Sequence, residues 1–184
     1  MKLEIYEPAE DSHLLEESLK EYLKNKDKKI KIIDMGTGSG IQAKTCKELG
    51  FESILAVDIN KVAVKELKKQ KINSIHSNLF LNIDKKEKFD LIIFNPPYLP
   101  EDKLEPNDSK PNTTAGKYGY ELIIKFLKQA KNYLNKNGNI LLLFSSLSKP
   151  NIIKRKAKEL GYKLKLLKGQ KIFFEELYIY LVSI

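Results

Sequence analysis

Residues 30–40 read Ile30-Lys31-Ile32-Ile33-Asp34-Met35-Gly36-Thr37-Gly38-Ser39-Gly40, a short apolar run that breaks into a turn with glycine at every second position. Such a run, bounded by glycines, reads as a buried strand over 30–34, and residues 41–49, closed by Gly50, read as the helix that follows it. Strand, glycine turn and helix in that order open a βαβ unit. Working outward, strands are expected at 54–57, 72–76, 91–94 and 139–144, with helices at 61–70, 119–135 and about 150–160. A helix at 10–24 precedes them, with Leu15, Leu19, Tyr22 and Leu23 on one face. Two closing strands at 162–168 and 173–182 are expected to meet at a tight Gly169-Gln170 turn, and so short a link makes them antiparallel. The pattern predicts an α/β protein built on a mostly parallel sheet.

At 184 residues and 42% hydrophobic, the chain has the size of one domain with a substantial core, so we expect a single domain over 1–184. No run approaches the roughly 18 apolar residues of a membrane span, and the N-terminus shows no apolar signal core, which predicts a soluble, cytoplasmic protein. Cys46 is the lone cysteine, which excludes a disulfide framework or a cysteine-based zinc site within one chain. Its place on the 41–49 helix suits a small core residue. His13 and His76 have no ligand-spaced partners, so no metal is expected in this chain.

The formal charge of +9 raises the question of nucleic acid. Arg155 is the sole arginine among the 33 basic residues. The excess is local: nine basic residues between Lys149 and Lys171 face Glu159 alone. The stretch 95–118, by contrast, sets Glu101, Asp102, Glu105 and Asp108 against Lys103, Lys110 and Lys117. It also holds five of the seven prolines and reads as one long functional loop.

Two constellations carry chemistry. The glycines of 36–40 let backbone approach a ligand and precede a helix N-terminus with free N–H groups, while Ile41 stands where a dinucleotide fingerprint would place the sixth-position glycine. That spacing disfavours NAD and fits a nucleoside ligand. Asp58 ends the next strand, where a carboxylate accepts from ribose hydroxyls. The second constellation, Asn95-Pro96-Pro97-Tyr98, follows the fourth strand. Its prolines fix φ and force an extended turn, holding the Asn95 side chain and the Pro96 carbonyl a few ångströms apart. Two fixed acceptors suit a planar NH2 group, and Tyr98 is placed to cover its flat face.

These residues, with Tyr6-Glu7-Pro8-Ala9-Glu10-Asp11-Ser12 and Ala115-Gly116-Lys117-Tyr118-Gly119, resemble the HemK family of protein glutamine-N5 methyltransferases, specifically its short archaeal and eukaryotic branch. The resemblance runs over essentially the whole chain. It implies a Rossmann-like, seven-stranded class I methyltransferase sheet of order 3-2-1-4-5-7-6 with strand 7 antiparallel, without a separate substrate-recognition domain. It implies S-adenosylmethionine as cofactor, S-adenosylhomocysteine as product, and the Gly-Gly-Gln glutamine of a class I translation release factor as methyl acceptor. Ser12 would touch the methionine end of the cofactor, Asp34 its ammonium, Gly36 and Gly38 the turn around it, Asp58 the ribose, and Asn78 and Leu79 the adenine. Asn78 stands where many relatives carry Asp, and its amide oxygen still accepts from an amino group. Asn95, Pro96, Pro97 and Tyr98 would bind the substrate amide, with Asn95 also facing the cofactor. Lys117 and Tyr118 are candidates for substrate contact.

The resemblance also implies a small zinc-binding activator protein that pairs with the strand at 72–76, where Ile72 and Ile75 are the expected contacts. Alternative acceptors remain: the N6 amino group of adenine in DNA or RNA, whose geometry suits the same pocket, or a protein lysine. The near-absence of arginine, the commonest specific base reader, and the neutral loop at 95–118 argue against nucleic acid as the thing methylated. The basic region at 149–171 is expected to be solvated, or to serve as a peripheral docking surface.

Overall fold

The computed structural model describes residues 5–100 and 116–184. In chain order the elements are α1 (Glu10–Leu23), β1 (Ile32–Met35), α2 (Ile41–Glu48), β2 (Ile54–Asp58), α3 (Lys61–Lys69), β3 (Ser74–His76) and β4 (Phe89–Phe94). They continue with α4 (Glu121–Ala130), β5 (Leu134–Ser145), α5 (Pro150–Glu159), β6 (Lys163–Ile172) and β7 (Glu175–Ser183). The seven strands form one sheet of order β3-β2-β1-β4-β5-β7-β6, with β7 antiparallel to both neighbours. Fold class and strand order are those expected from the sequence.

The sheet is covered on both faces because its central strands are apolar on both. Along β4, Ile92 and Phe94 join the core under α4 and α5, while Leu91 and Ile93 join the core under α1 and α2. Phe94 packs on Phe126 of α4 with ring centroids 4.2 Å apart. On the opposite face, Leu14, Leu15, Leu19 and Leu23 of α1 meet Cys46 of α2, which is buried as expected. Ile153 and Ala157 of α5 are fully buried, leaving Arg155 and Lys158 outside. No helix among the described residues is long and apolar enough to cross a membrane.

Strand order reverses at β1, which has β2 on one side and β4 on the other, and the crevice beyond the carboxyl ends of such strands is where open α/β sheets bind ligands. Met35 is level with Phe94, so Gly36 and Asn95 leave neighbouring strands at the same height. This one register brings the two chemical constellations together.

The structure corrects three expectations. The helix expected over 119–135 ends at Ala130, passes through a short 3-10 turn at Lys131–Tyr133, and gives way to a long β5 already at Leu134. The closing hairpin does not turn at Gly169-Gln170: these residues lie within β6 opposite Tyr178 and Leu177, and the turn falls on Phe173-Phe174. A register shift between Leu166 and Lys168 adds one residue to β6 and lets the ladder run on past the glycine. Ile72 lies before β3 and is only 7% exposed, packed with Ala43, Ala56 and Leu67, so it is core and unavailable to a partner. Residues 101–115 of the expected loop, Ala115 included, lie outside the described residues.

Candidate active site

The three glycines of the turn after β1 all have positive φ. At Gly40, φ is +82° and an added Cβ would lie 2.3 Å from Leu67 Cδ2, so only glycine seats α2 against α3 here. The turn borders a cavity of about 400 Å³. Its lining includes every site residue expected from the sequence: Ser12, Asp34, Gly36, Gly38, Asp58, Asn78, Leu79, Asn95, Pro96, Pro97 and Tyr98. Lys117 and Tyr118 are not among the lining residues; Tyr118 stacks on Tyr120 and its N–H donates to Glu121.

At one side of the cavity lies Asp34, 2% exposed, whose Oδ2 accepts from the Thr37 hydroxyl at 2.5 Å and the Ala43 N–H at 3.1 Å. Burial pushes its carboxyl up to about 7, the two hydrogen bonds pull it back, and the nearby Asp58 adds to the rise. A buried carboxyl poised in this way is suited to a cationic ligand group, which would restore its charge. Asp58 receives the Gly38 N–H and the Asn60 N–H, each at 2.7 Å, one on each oxygen. Burial raises its carboxyl too, against those bonds. The Ile59 N–H adds a third backbone hydrogen bond, which leaves the carboxylate further acceptor capacity for a hydroxyl. Beyond β3, Leu79 is held at φ +50°, a conformation costing a residue with a Cβ about 1–3 kcal/mol.

On the other side, Asn95 Nδ2 donates to Asp11 Oδ2 at 2.8 Å. A carboxylate oxygen only accepts, so this bond fixes the amide orientation, and Asn95 Oδ1 is left buried without a partner. Asp11 Oδ1 in turn accepts from the Tyr6 hydroxyl at 3.0 Å, the Ser12 N–H at 2.6 Å and the Ser12 hydroxyl at 3.2 Å. The Tyr98 carbonyl accepts from the Ser148 hydroxyl at 2.9 Å. An added Cβ at Gly119, φ +83°, would meet that same carbonyl at 2.7 Å, so the backbone at Gly119 lies directly against the end of the Asn-Pro-Pro-Tyr turn. Burial, and then the charges of Asp11 and Glu175, push the Tyr98 phenol well up, so it stays a neutral ring.

Sequence reasoning missed Asp11 and Gln42. Gln42, 3% exposed, donates from Nε2 to the Ser12 carbonyl at 2.8 Å and keeps Oε1 buried without a partner. The available signal was helical spacing: Asp11 shares a face with Leu15 four residues on, and Gln42 with Cys46, so each places a polar group on a buried face. His13 is exposed beside Glu16, and His76 Nε2 lies 3.0 Å from the Ile59 carbonyl. Among the described residues, no group of three or more His, Cys, Asp or Glu is placed to hold a metal ion.

Sheet order, glycine turn, acid at the end of β2 and Asn-Pro-Pro-Tyr after β4 together define a class I methyltransferase. Residues 13–96 match the family described as ribosomal protein L11 methyltransferase (PrmA). A relative from Methanocaldococcus jannaschii, named as a protein N5-glutamine methyltransferase, is 40% identical over 184 residues, covering 96% of this chain and 90% of its own. A release factor glutamine methyltransferase of Fusobacterium nucleatum is 37% identical over 106 residues, 53% of this chain and 30% of its own. Among solved structures, the E. cuniculi Mtq2–Trm112 complex, described as responsible for methylation of the eRF1 translation termination factor, aligns with TM-score 0.76 and 25% identity over 97% of both chains. A Bacteroides fragilis methyltransferase bound to S-adenosyl-L-homocysteine shares the fold at TM-score 0.66 and 18% identity, over 99% of this chain and 79% of its own. The chain belongs to the protein glutamine-N5 methyltransferase family.

Proposed function

We propose that this enzyme transfers a methyl group from S-adenosylmethionine to the side-chain amide nitrogen of the glutamine in the Gly-Gly-Gln motif of a class I release factor. The observation that carries this reading is Asn95 Oδ1, held by the Asp11 bond and buried without a hydrogen-bond partner, on a residue that lines the same cavity as Pro96. Two fixed acceptors beside a neutral tyrosine ring match a planar NH2 group. The names of the relatives support glutamine as the acceptor side chain.

The cofactor fits on grounds internal to this chain: a buried carboxyl at Asp34 and an unpartnered Gln42 Oε1 stand together in the cavity wall. Asp34 and Gln42 would hold the methionine ammonium, Ser12 the methionine end, and Gly36 and Gly38 the turn. Asp58 would hold the ribose, and Asn78 with Leu79 the adenine. When bound, S-adenosylmethionine supplies an electrophilic sulfonium methyl group. Asn95 Oδ1 and the Pro96 carbonyl would accept the two N–H groups of the acceptor amide, orient its nitrogen and raise its electron density, while Pro97 and Tyr98 cover its face; as the nitrogen gains the methyl group it would give up one N–H proton to solvent, and S-adenosylhomocysteine would leave. Catalysis by such positioning is worth up to about 7–11 kcal/mol in favourable systems.

A small activator protein is proposed as a partner at the open edge of β3, by analogy with the two-protein assembly of the E. cuniculi structure. Its apolar contacts here would be Ile59, Val62 and Leu81, which are exposed around the carboxyl ends of β2 and β3. The deciding experiment is transfer of labelled methyl to a release factor and to its Gln→Ala variant. Label on the wild-type factor alone is expected; label on both, or on nucleic acid instead, would rule the assignment out.

A further inference from the structure

The β6–β7 hairpin closes on Phe173 and Phe174, whose side chains are 89% and 97% exposed. Tight hairpin turns favour Gly, Asn and Asp, and aromatic rings lose free energy by standing in water. Phe173 is also held at φ +33°, outside the ordinary range of a residue with a Cβ. Exposed apolar surface on a strained turn is the signature of an interaction site.

Strand register says where this turn stands. Phe94, immediately before the Asn95 turn, is level with Leu142, and Leu142 with Tyr180. Glu175 lies five residues nearer the hairpin tip than Tyr180, so the turn rises about 17 Å above that level at roughly 3.3 Å per residue. It does so on the side of the sheet where the cavity opens, since Leu177 pairs with Ser145 at the carboxyl end of β5. Its base is tied to the cavity mouth: the Ser146 hydroxyl accepts from the Glu176 N–H at 3.0 Å, and Ser148, two residues on, holds the Tyr98 carbonyl. Glu175 Oε2 is buried there without a partner. Beside the turn, Lys171 of β6 is exposed, whereas Lys163 and Lys165 stand at the far end of β6, where Lys163 is level with Ser183 and, through it, with Asn139.

We propose that the β6–β7 hairpin is the docking element for the protein substrate. Phe173 and Phe174 seat in an apolar depression on the surface of the protein whose acceptor segment enters the cavity. This rests on the protein-methylation reading above. Positive charge alone would equally suit RNA, but the hairpin carries no arginine, and Glu175 on its inner side would repel a phosphodiester chain.

The test compares steady-state methylation of an intact release factor by the wild type, by Phe173→Ser/Phe174→Ser and by Lys163→Glu/Lys165→Glu, with S-adenosylhomocysteine affinity measured alongside. All four positions are exposed, and unchanged affinity reports an intact fold. The phenylalanine pair should raise KM for the factor at least tenfold with kcat and S-adenosylhomocysteine affinity within twofold, and the lysine pair, at the far end of β6, should leave KM within twofold. An unchanged KM in the phenylalanine variant overturns the docking role, as does an effect seen only when RNA is present. A wild type inactive on the factor overturns the underlying methylation reading instead.

Discussion

Asp11 and Asn95 are joined by a 2.8 Å hydrogen bond that reaches across 84 positions of sequence and decides which end of the Asn95 amide is left without a hydrogen-bond partner. The acceptor proposed for the substrate amide is therefore oriented by a residue on α1, outside the Asn-Pro-Pro-Tyr turn itself. Asn95→Ala should lower kcat about 10²-fold, comparable to losing one preorganised hydrogen-bonding group in other active sites. Asp11→Asn replaces one acceptor with a donor and frustrates the network of Tyr6, Ser12 and Asn95, for an expected loss of about tenfold to a hundredfold in kcat. Single-turnover transfer and cofactor binding, measured separately, check both; a parallel loss of cofactor affinity in Asn95→Ala would contradict the role given to Oδ1.

Asp34 makes stability and cofactor affinity depend on pH in opposite directions. Its folded-state pKa of about 7 lies above the ordinary carboxylate value of 3.8, so the folded protein binds the extra proton and loses stability as pH rises through that window. Asp58, also raised, adds in the same direction. The full Asp34 effect is of order 4 kcal/mol at about 1.4 kcal/mol per pKa unit. The melting temperature of the free enzyme should fall from pH 5 to pH 8, and Asp34→Asn should flatten the slope. An ammonium group needs the ionised carboxylate, so S-adenosylhomocysteine affinity should drop about tenfold per pH unit below pH 7, with proton release seen by calorimetry in two buffers.

Gln42→Met separates binding from folding. It removes an unsatisfied buried acceptor but also the bond to the Ser12 carbonyl, two effects of about 1 kcal/mol each and opposite sign. Stability should change by less than about 1 kcal/mol while S-adenosylhomocysteine affinity falls about tenfold. Affinity equal to wild type by titration calorimetry would remove Gln42 from the cofactor site.

The exposed apolar residues beside β3 give a partner test. Val62→Lys and Leu81→Lys should leave the melting temperature of the isolated chain unchanged, as surface changes generally stay within about 0.5 kcal/mol. The same changes should abolish co-purification with a small methyltransferase activator. Ile72→Lys is the control: it places a charge in the core and should destabilise the chain whether or not the partner is present.

By itself, the sequence determined the sheet, because apolar runs bounded by glycine and proline record burial and turn locally. The two loops at its carboxyl rim also followed from it, since ligand-facing turns leave parallel strands at one known end, while the strand order and the full set of eleven expected residues among those lining the cavity came through the resemblance of its motifs to a known family. Tertiary structure alone decided which polar groups are buried and which way they face. Asp11 and Gln42 read as ordinary polar positions of a helix until α1 and α2 close over the turn after β1, because a hydrogen bond such as Asp11 to Asn95 joins residues with no proximity along the chain. The hairpin shows the same limit: glycine at 169 is the natural turn residue, yet cross-strand pairing with β7 carries the ladder past it and leaves two phenylalanines at the tip. Local propensity is worth about 1 kcal/mol, and a continuous ladder of paired strands outweighs it.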